Sequence, residues 1–389
     1  MISMIKSESW PMFRRSPDHI GYTTDQAAPL GRVRWVFKTG STQLRSSPAI
    51  VDEVVFIGAG NDVYALKVDS TDPEGEVVWK YTTGGAVQSS PAVAHDRVYV
   101  TSKDGYVYAL KQHPSRPPKG EMVWKYYLGD FTRFTGSPTV SDGRLFVGSE
   151  VGYLYSLNAT TNNPNGELIW KFFTGGWIHG TPAVADGKVF IGNSGPLTEK
   201  GYHIFALEED TSKPEGELLW KLQVGPIQWG VGPSPAVKDG TVFVSADDGY
   251  IYALKEDPAR PEGEVVWKYG PVGGMMSSAA VANNRVFVGL EAGKAVVALQ
   301  EDSPDSKGAL IWKYDVGAVV RSSPAVADDT IFIGAEGSGR MLAFEALTNK
   351  KGGRLKWFYE ADGPIFSSPA AAYEMVFVAT ASGSIYAFY

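Results

Sequence analysis

One feature constrains what this 389-residue chain can fold into: a tryptophan returns at near-constant intervals along almost its whole length. The residues are Trp35, Trp79, Trp124, Trp170, Trp220, Trp267, Trp312 and Trp357, separated by 44, 45, 46, 50, 47, 45 and 45 residues. A second marker keeps the same beat: Ser47-Pro48-Ala49, Ser90-Pro91-Ala92, Ser137-Pro138-Thr139, Thr181-Pro182-Ala183, Ser234-Pro235-Ala236, Ser278-Ala279-Ala280, Ser323-Pro324-Ala325 and Ser368-Pro369-Ala370. Within a unit the sequence reads as four short strands. In the second these are 90–94, 98–101, 106–110 and 122–127, with turns at His95-Asp96-Arg97 and Lys103-Asp104-Gly105. The runs are β-branched and aromatic and are bounded by Gly, Asp and Pro, while no sustained helical period occurs. Such a unit cannot bury both faces alone and must stack on its neighbours around an axis. The expected fold is all-β, an eight-bladed β-propeller of four-stranded antiparallel blades.

The phase of the repeat predicts how the ring closes. After Trp357 only three strands remain, so Val33–Lys38, around Trp35, is expected to complete the last blade from the other end of the chain. Residues 32–389 then form one domain, and residues 1–31 are a leader packing on it. The repeated tryptophans are read as structural, inserted between adjacent blades. The Ser-Pro-Ala elements open the innermost strands, where proline is tolerable because no ladder donor is required. The Pro-x-Gly-Glu endings (Pro73–Glu76, Pro118–Glu121, Pro164–Glu167, Pro214–Glu217, Pro261–Glu264) read as solvated turns.

The unit Trp…Gly-Gly…Ser-Ser-Pro-Ala-Val…Val-Tyr-Val…Asp-Gly-Tyr-Val-Tyr-Ala-Leu resembles the PQQ-like β-propeller repeat, and Ser9-Trp10-Pro11-Met12-Phe13-Arg14-Arg15 is similar to the leader that often precedes such repeats. The resemblance spans residues 9–389 and implies the fold. It leaves function open, because the family includes quinoprotein dehydrogenases, sensor domains and BamB-like assembly scaffolds. Quinoprotein enzymes of this kind carry a vicinal cysteine pair and a carboxylate–amide cluster for Ca²⁺. This chain has no cysteine and no matching cluster in its loops, so PQQ and Ca²⁺ are not expected, no cofactor is predicted and a non-quinoprotein member is the reading.

The loops from each outer strand to the next inner strand are the most variable part of the repeat and face one mouth of the channel. Arg45, Gln88, Arg133, Phe134, Trp177, His179, Gln228, Trp229, Met276, Arg321 and Phe366 are the candidate ligand- or partner-binding residues. Cationic and aromatic groups in one concavity suit a peptide, a protein or a small anionic ligand. Mouth arginines can equally bond neighbouring carbonyls and close the funnel, and both readings stand at this point. The sector carrying Trp177 and Trp229 is the first choice, since these two break the repeat and tryptophan is enriched in interface hot spots. No nucleophile elbow, zinc motif or phosphate loop occurs, and no catalytic residue or metal ligand is assigned. The expectation is a non-catalytic binding or scaffolding propeller. The alternative is an enzyme using the same pocket, either PQQ-dependent or with His179 as acid–base. A net charge of -7 without a basic stripe argues against nucleic acid. No apolar run reaches membrane-spanning length, and a monomer is expected. The location is cytoplasmic if Met1 is the native start, and periplasmic or extracellular if a signal peptide has been removed.

Overall fold

The computed structural model describes residues 9–42, 44–129, 136–195, 202–224, 232–246 and 248–389. Among them regular structure is all strand, arranged as eight four-stranded antiparallel blades. Blade 1 covers 49–82, blade 2 92–127, blade 3 139–173, blade 4 183–223, blade 5 236–269, blade 6 280–315 and blade 7 325–360. Blade 8 joins 370–388 to Val33–Lys38. In blade 8 the N-terminal strand runs antiparallel to Ser384–Phe388, with Trp35 opposite Ala387 and Lys38 opposite Ser384. The ring therefore closes by joining the two ends of the chain in one sheet. Each inner strand has only three residues and the two middle strands are buried on both faces. The outer strand alternates, as in Val77–Thr82 with only Trp79 fully buried.

The core lies between blades. Ala49, Phe56, Ala65 and Trp79 of blade 1 pack with Val93, Val98, Val100 and Leu110 of blade 2. Every repeated tryptophan stacks obliquely on an aromatic ring in the second strand of its own blade, as in Phe56–Trp79 at 5.8 Å, Phe146–Trp170 at 5.8 Å and Trp35–Phe377 at 5.9 Å. In five of the eight the indole N–H crosses to the next blade, as where Trp35 donates to Val68 O at 2.8 Å, Trp79 to Gln112 O at 2.9 Å and Trp220 to Glu256 O at 2.8 Å. One side chain thus supplies apolar area to its own sheet and a buried donor to its neighbour.

The Pro-x-Gly-Glu loops do more than turn. Their exposed tips are solvated, but the Pro118 carbonyl accepts from Lys80 N at 2.9 Å and the Pro214 carbonyl from Lys171 N at 3.0 Å, each on the outer strand of the preceding blade. The glycine lies flat on the preceding indole. A Cβ on Gly120 would stand 2.7 Å from Tyr81 Cβ and 3.0 Å from Trp79, and one on Gly216 3.3 Å from Trp170.

Around the axis the Ser-Pro-Ala elements form a belt. The backbone N–H of seven of the eight marker residues donates to the hydroxyl of the next: Ser47 to Ser90, Ser90 to Ser137, Thr181 to Ser234, Ser234 to Ser278, Ser278 to Ser323, Ser323 to Ser368 and Ser368 back to Ser47, at 2.8–3.0 Å. Beyond the belt lies the leader, whose carbonyls radiate to the mid-strand amides of the inner strands. Ile50, Val93, Val184, Val237, Val281 and Val326 donate to Trp10, Pro11, Pro17, Asp18, Ile20 and Gly21 at 2.7–2.9 Å. His19 Nε2 lies 3.1 Å from Thr139 Oγ1 in blade 3, Tyr22–Thr23 pairs in parallel with blade 7, and Ala28 N donates to Glu374 O of blade 8. The leader therefore reaches all eight blades.

Two outcomes follow from this packing. Trp170→Ala should cost about 3–5 kcal/mol, by analogy with other buried aromatic truncations. Removing residues 1–39 should lower the melting temperature further, because it opens blade 8 and exposes a strand edge; an unchanged melting temperature in the truncated protein would contradict the ring closure described. The second concerns acid. Burial, and then the nearby Arg14 charge, push the fully enclosed His19 from 6.5 down to about 3. The unfolded chain therefore takes up this proton first, so the contribution is intact above pH 6.5 and is lost as pH falls toward 3. Its slope is up to about 1.4 kcal/mol per pH unit. Denaturant melts of wild type and His19→Gln between pH 7 and 4 should show the steeper loss in wild type.

Candidate functional site

Inner strands run from the belt toward the far face, so the belt, the carbonyls just below it and then the leader form successive layers beneath the predicted mouth. The mouth is a cup closed at its base. The described candidates fall into two groups on its rim.

The first group joins blades 6, 7, 8 and 1. Arg321, in the loop entering blade 7, bonds Glu291 of blade 6 at 2.5 Å and Glu336 of blade 7 at 2.7 Å. The Glu291 hydrogen bond raises the Arg321 pKa above its usual value, with burial opposing. Arg45 lies 4.8 Å over the Phe366 ring, while burial and then the Arg321 charge lower its pKa. The sequence suggested basic groups facing a ligand. In the structure the Arg321 charge is already committed to two carboxylates, close to the plugging alternative weighed above. Gln88 is half-buried nearby in chain order, and its Oε1 is enclosed without a hydrogen-bond partner among the described residues.

The second group lies between blades 3 and 4. Trp177 and His179 have ring centroids 6.1 Å apart, and Ser194 N donates to the Trp177 carbonyl at 2.6 Å. His179 Nδ1 is 3.1 Å from Ser194 Oγ, and its Nε2 is 3.8 Å from the Glu150 carboxylate, whose side chain is 8% exposed. The sequence placed no carboxylate beside His179, because Glu150 comes from a turn of blade 3, 29 residues earlier (179 minus 150). Met276, at the entry to blade 6, is 42% exposed. Arg133, Phe134, Gln228 and Trp229 lie outside the described residues.

A difference between the two halves escaped the sequence reading. In blades 1, 2, 6, 7 and 8 the serine preceding the belt residue staples its loop to its own blade. Ser46, Ser89, Ser277, Ser322 and Ser367 accept from the amides of Gly58, Thr101, Gly289, Gly334 and Ala379. At the same place blades 3, 4 and 5 carry Gly136, Gly180 and Pro233, none of which has a hydroxyl. A Cβ on Gly136 would meet Gly180 O at 2.9 Å, and one on Gly180 would meet Pro233 O at 3.1 Å. Here the crossing segments pack on each other. The signal was present as a missing serine in three consecutive repeats.

Among the described residues no group of three or more His, Asp or Glu side chains could hold a metal ion. Among the described residues no helix is long and apolar enough to cross a membrane. Arg321→Ala should cost about 1 kcal/mol at low salt, since its partners are partly exposed and screened, and less at high salt. Melts at two salt concentrations test this, and a loss independent of salt would count against an electrostatic role.

The model describing outer membrane protein assembly factor BamB matches residues 23–116, 114–213, 200–304, 248–351 and 295–389. No curated protein matches. Among solved structures, a europium-containing methanol dehydrogenase is similar over 96% of this chain and 89% of its own, at 16% identity and TM-score 0.75. A quinohemoprotein alcohol dehydrogenase from Pseudomonas putida HK5 is similar over 98% and 80%, at 16% identity and TM-score 0.75. BamB from Moraxella catarrhalis is similar over 90% and 97%, at 15% identity and TM-score 0.64. At these identities the likenesses show the fold.

Proposed function

This chain belongs to the family of outer membrane protein assembly factor BamB, and we propose that it is a binding propeller that engages a protein or peptide at the mouth of blades 3 to 5. The observation that carries the reading is the run of Gly136, Gly180 and Pro233, which removes the serine staple in the same sector that presents Trp177. Loops held less firmly to their own blade can adapt to a partner, while a half-buried tryptophan gives that partner a rigid anchor. The likeness to BamB adds weight to a protein partner. A small anionic ligand has less support, because Arg321 is already paired.

A photo-crosslinking residue at position 177 should capture a partner that the same probe at Glu53, on the far face, does not. Trp177→Ala should weaken that complex about tenfold or more. Equal capture at both positions, or a complex indifferent to Trp177→Ala, would count against the proposal.

One observation favours a second reading, acid–base chemistry by His179 beside the Glu150 carboxylate. Ser194 is only 3% exposed, which argues against a serine nucleophile there. In that reading Glu150→Gln abolishes turnover of a mouth-bound substrate while leaving the partner complex of Trp177 unchanged.

A further inference from the structure

The leader makes its polar contacts with the ring as a bound peptide would. Its carbonyls take the mid-strand amides of six inner strands, yet Tyr22–Thr23 is the only strand among its described residues. Its curl puts Arg14, Arg15 and His19 at positive φ (62°, 75° and 59°), a conformation that persists only where the surroundings over-determine it. The Arg14 side chain is fully enclosed. It donates to the Pro324 carbonyl and, at 2.6 Å, to the Ala279 carbonyl, with its Nε unpartnered. Burial lowers this guanidinium to about 9, so it remains cationic at neutral pH. The compensation comes from dipoles: Ala279 O and Pro324 O belong to the same layer as Pro182 O, which takes Thr139 Oγ1 at 2.6 Å. Past this curl the chain surfaces, with Leu30 56% exposed.

We propose that the central channel is a peptide-binding site in its own right, and that residues 9–23 are its resident, exchangeable ligand. Two layers of backbone read that ligand. The mid-strand amides accept a loop that turns its carbonyls outward, and the carbonyl layer below the belt selects one guanidinium. The class of ligand is therefore a curled peptide loop that buries one arginine, here Arg14, while Arg15 bonds the loop's own Ser9 and Tyr22 carbonyls. This site is distinct from the mouth over blades 3 to 5 and does not depend on the reading given for it.

The test uses the full chain with a protease site inserted between Pro29 and Leu30. After cleavage, a labelled synthetic peptide of residues 9–28 should exchange saturably into the ring at one per chain. The same peptide with Arg14→Ala should compete at least about tenfold more weakly, as expected for lost charge-assisted hydrogen bonds. Circular dichroism follows the ring throughout. Three results overturn the proposal: a cleaved leader that excess peptide cannot displace from a folded ring, a ring that loses its β signal once the leader departs, or an Arg14→Ala peptide that competes as well as wild type.

Discussion

The fold depends on a belt of hydrogen bonds around the axis that takes in all eight marker residues. Seven bonds run from Thr181 through Ser368 and Ser47 to Ser137, amide to hydroxyl, and the step from Ser368 to Ser47 joins residues 321 apart in the chain. These groups are buried, so leaving one unpaired costs about 1–3 kcal/mol rather than the smaller net value of an exposed bond. A linear stack of blades would lose the step from Ser368 to Ser47, which the closed ring keeps. The N-terminal strand beside Ser384–Phe388 does at the rim what Ser368 and Ser47 do at the axis.

Much of this was legible from spacing. A tryptophan every 44–50 residues, with a Ser-Pro-Ala element once in each unit, defines blades, phase and closure, because every blade solves the same packing problem with the same residues. The aromatic ring that receives each indole, such as Phe56 or Phe146, was also periodic, though its role emerges only when two strands lie side by side. Pro-x-Gly-Glu was readable as a turn but not as a clasp, since its partner lies on a different blade. The leader was hardest. Its bonds go to backbone amides, which carry no residue signature, and neither Arg14 nor His19 has a charged partner in sequence.

The mouth shows the same limit. Arg45 lies over Phe366 and beside the Arg321 charge, but the pairing of Arg321 with Glu291 and Glu336 is set by three-dimensional neighbours 30 and 15 residues away. The proximity of Glu150 to His179 is equally invisible along the chain. What the sequence did hold, unread, was an asymmetry: five serines staple their loops and three consecutive repeats have none.

The glycine that lies on each indole has a consequence for size. Blades are wedges, and the angle between neighbours follows from how closely their rims approach. A methyl group at Gly120 would meet Tyr81 and Trp79 inside contact distance and spread that wedge. Repeated around the circle, the missing atom sets the curvature, and curvature sets the bore. The bore holds one curl of polypeptide, bonded to the inner strands. The diameter of the axis is gauged at the circumference, by the one residue there that has no side chain.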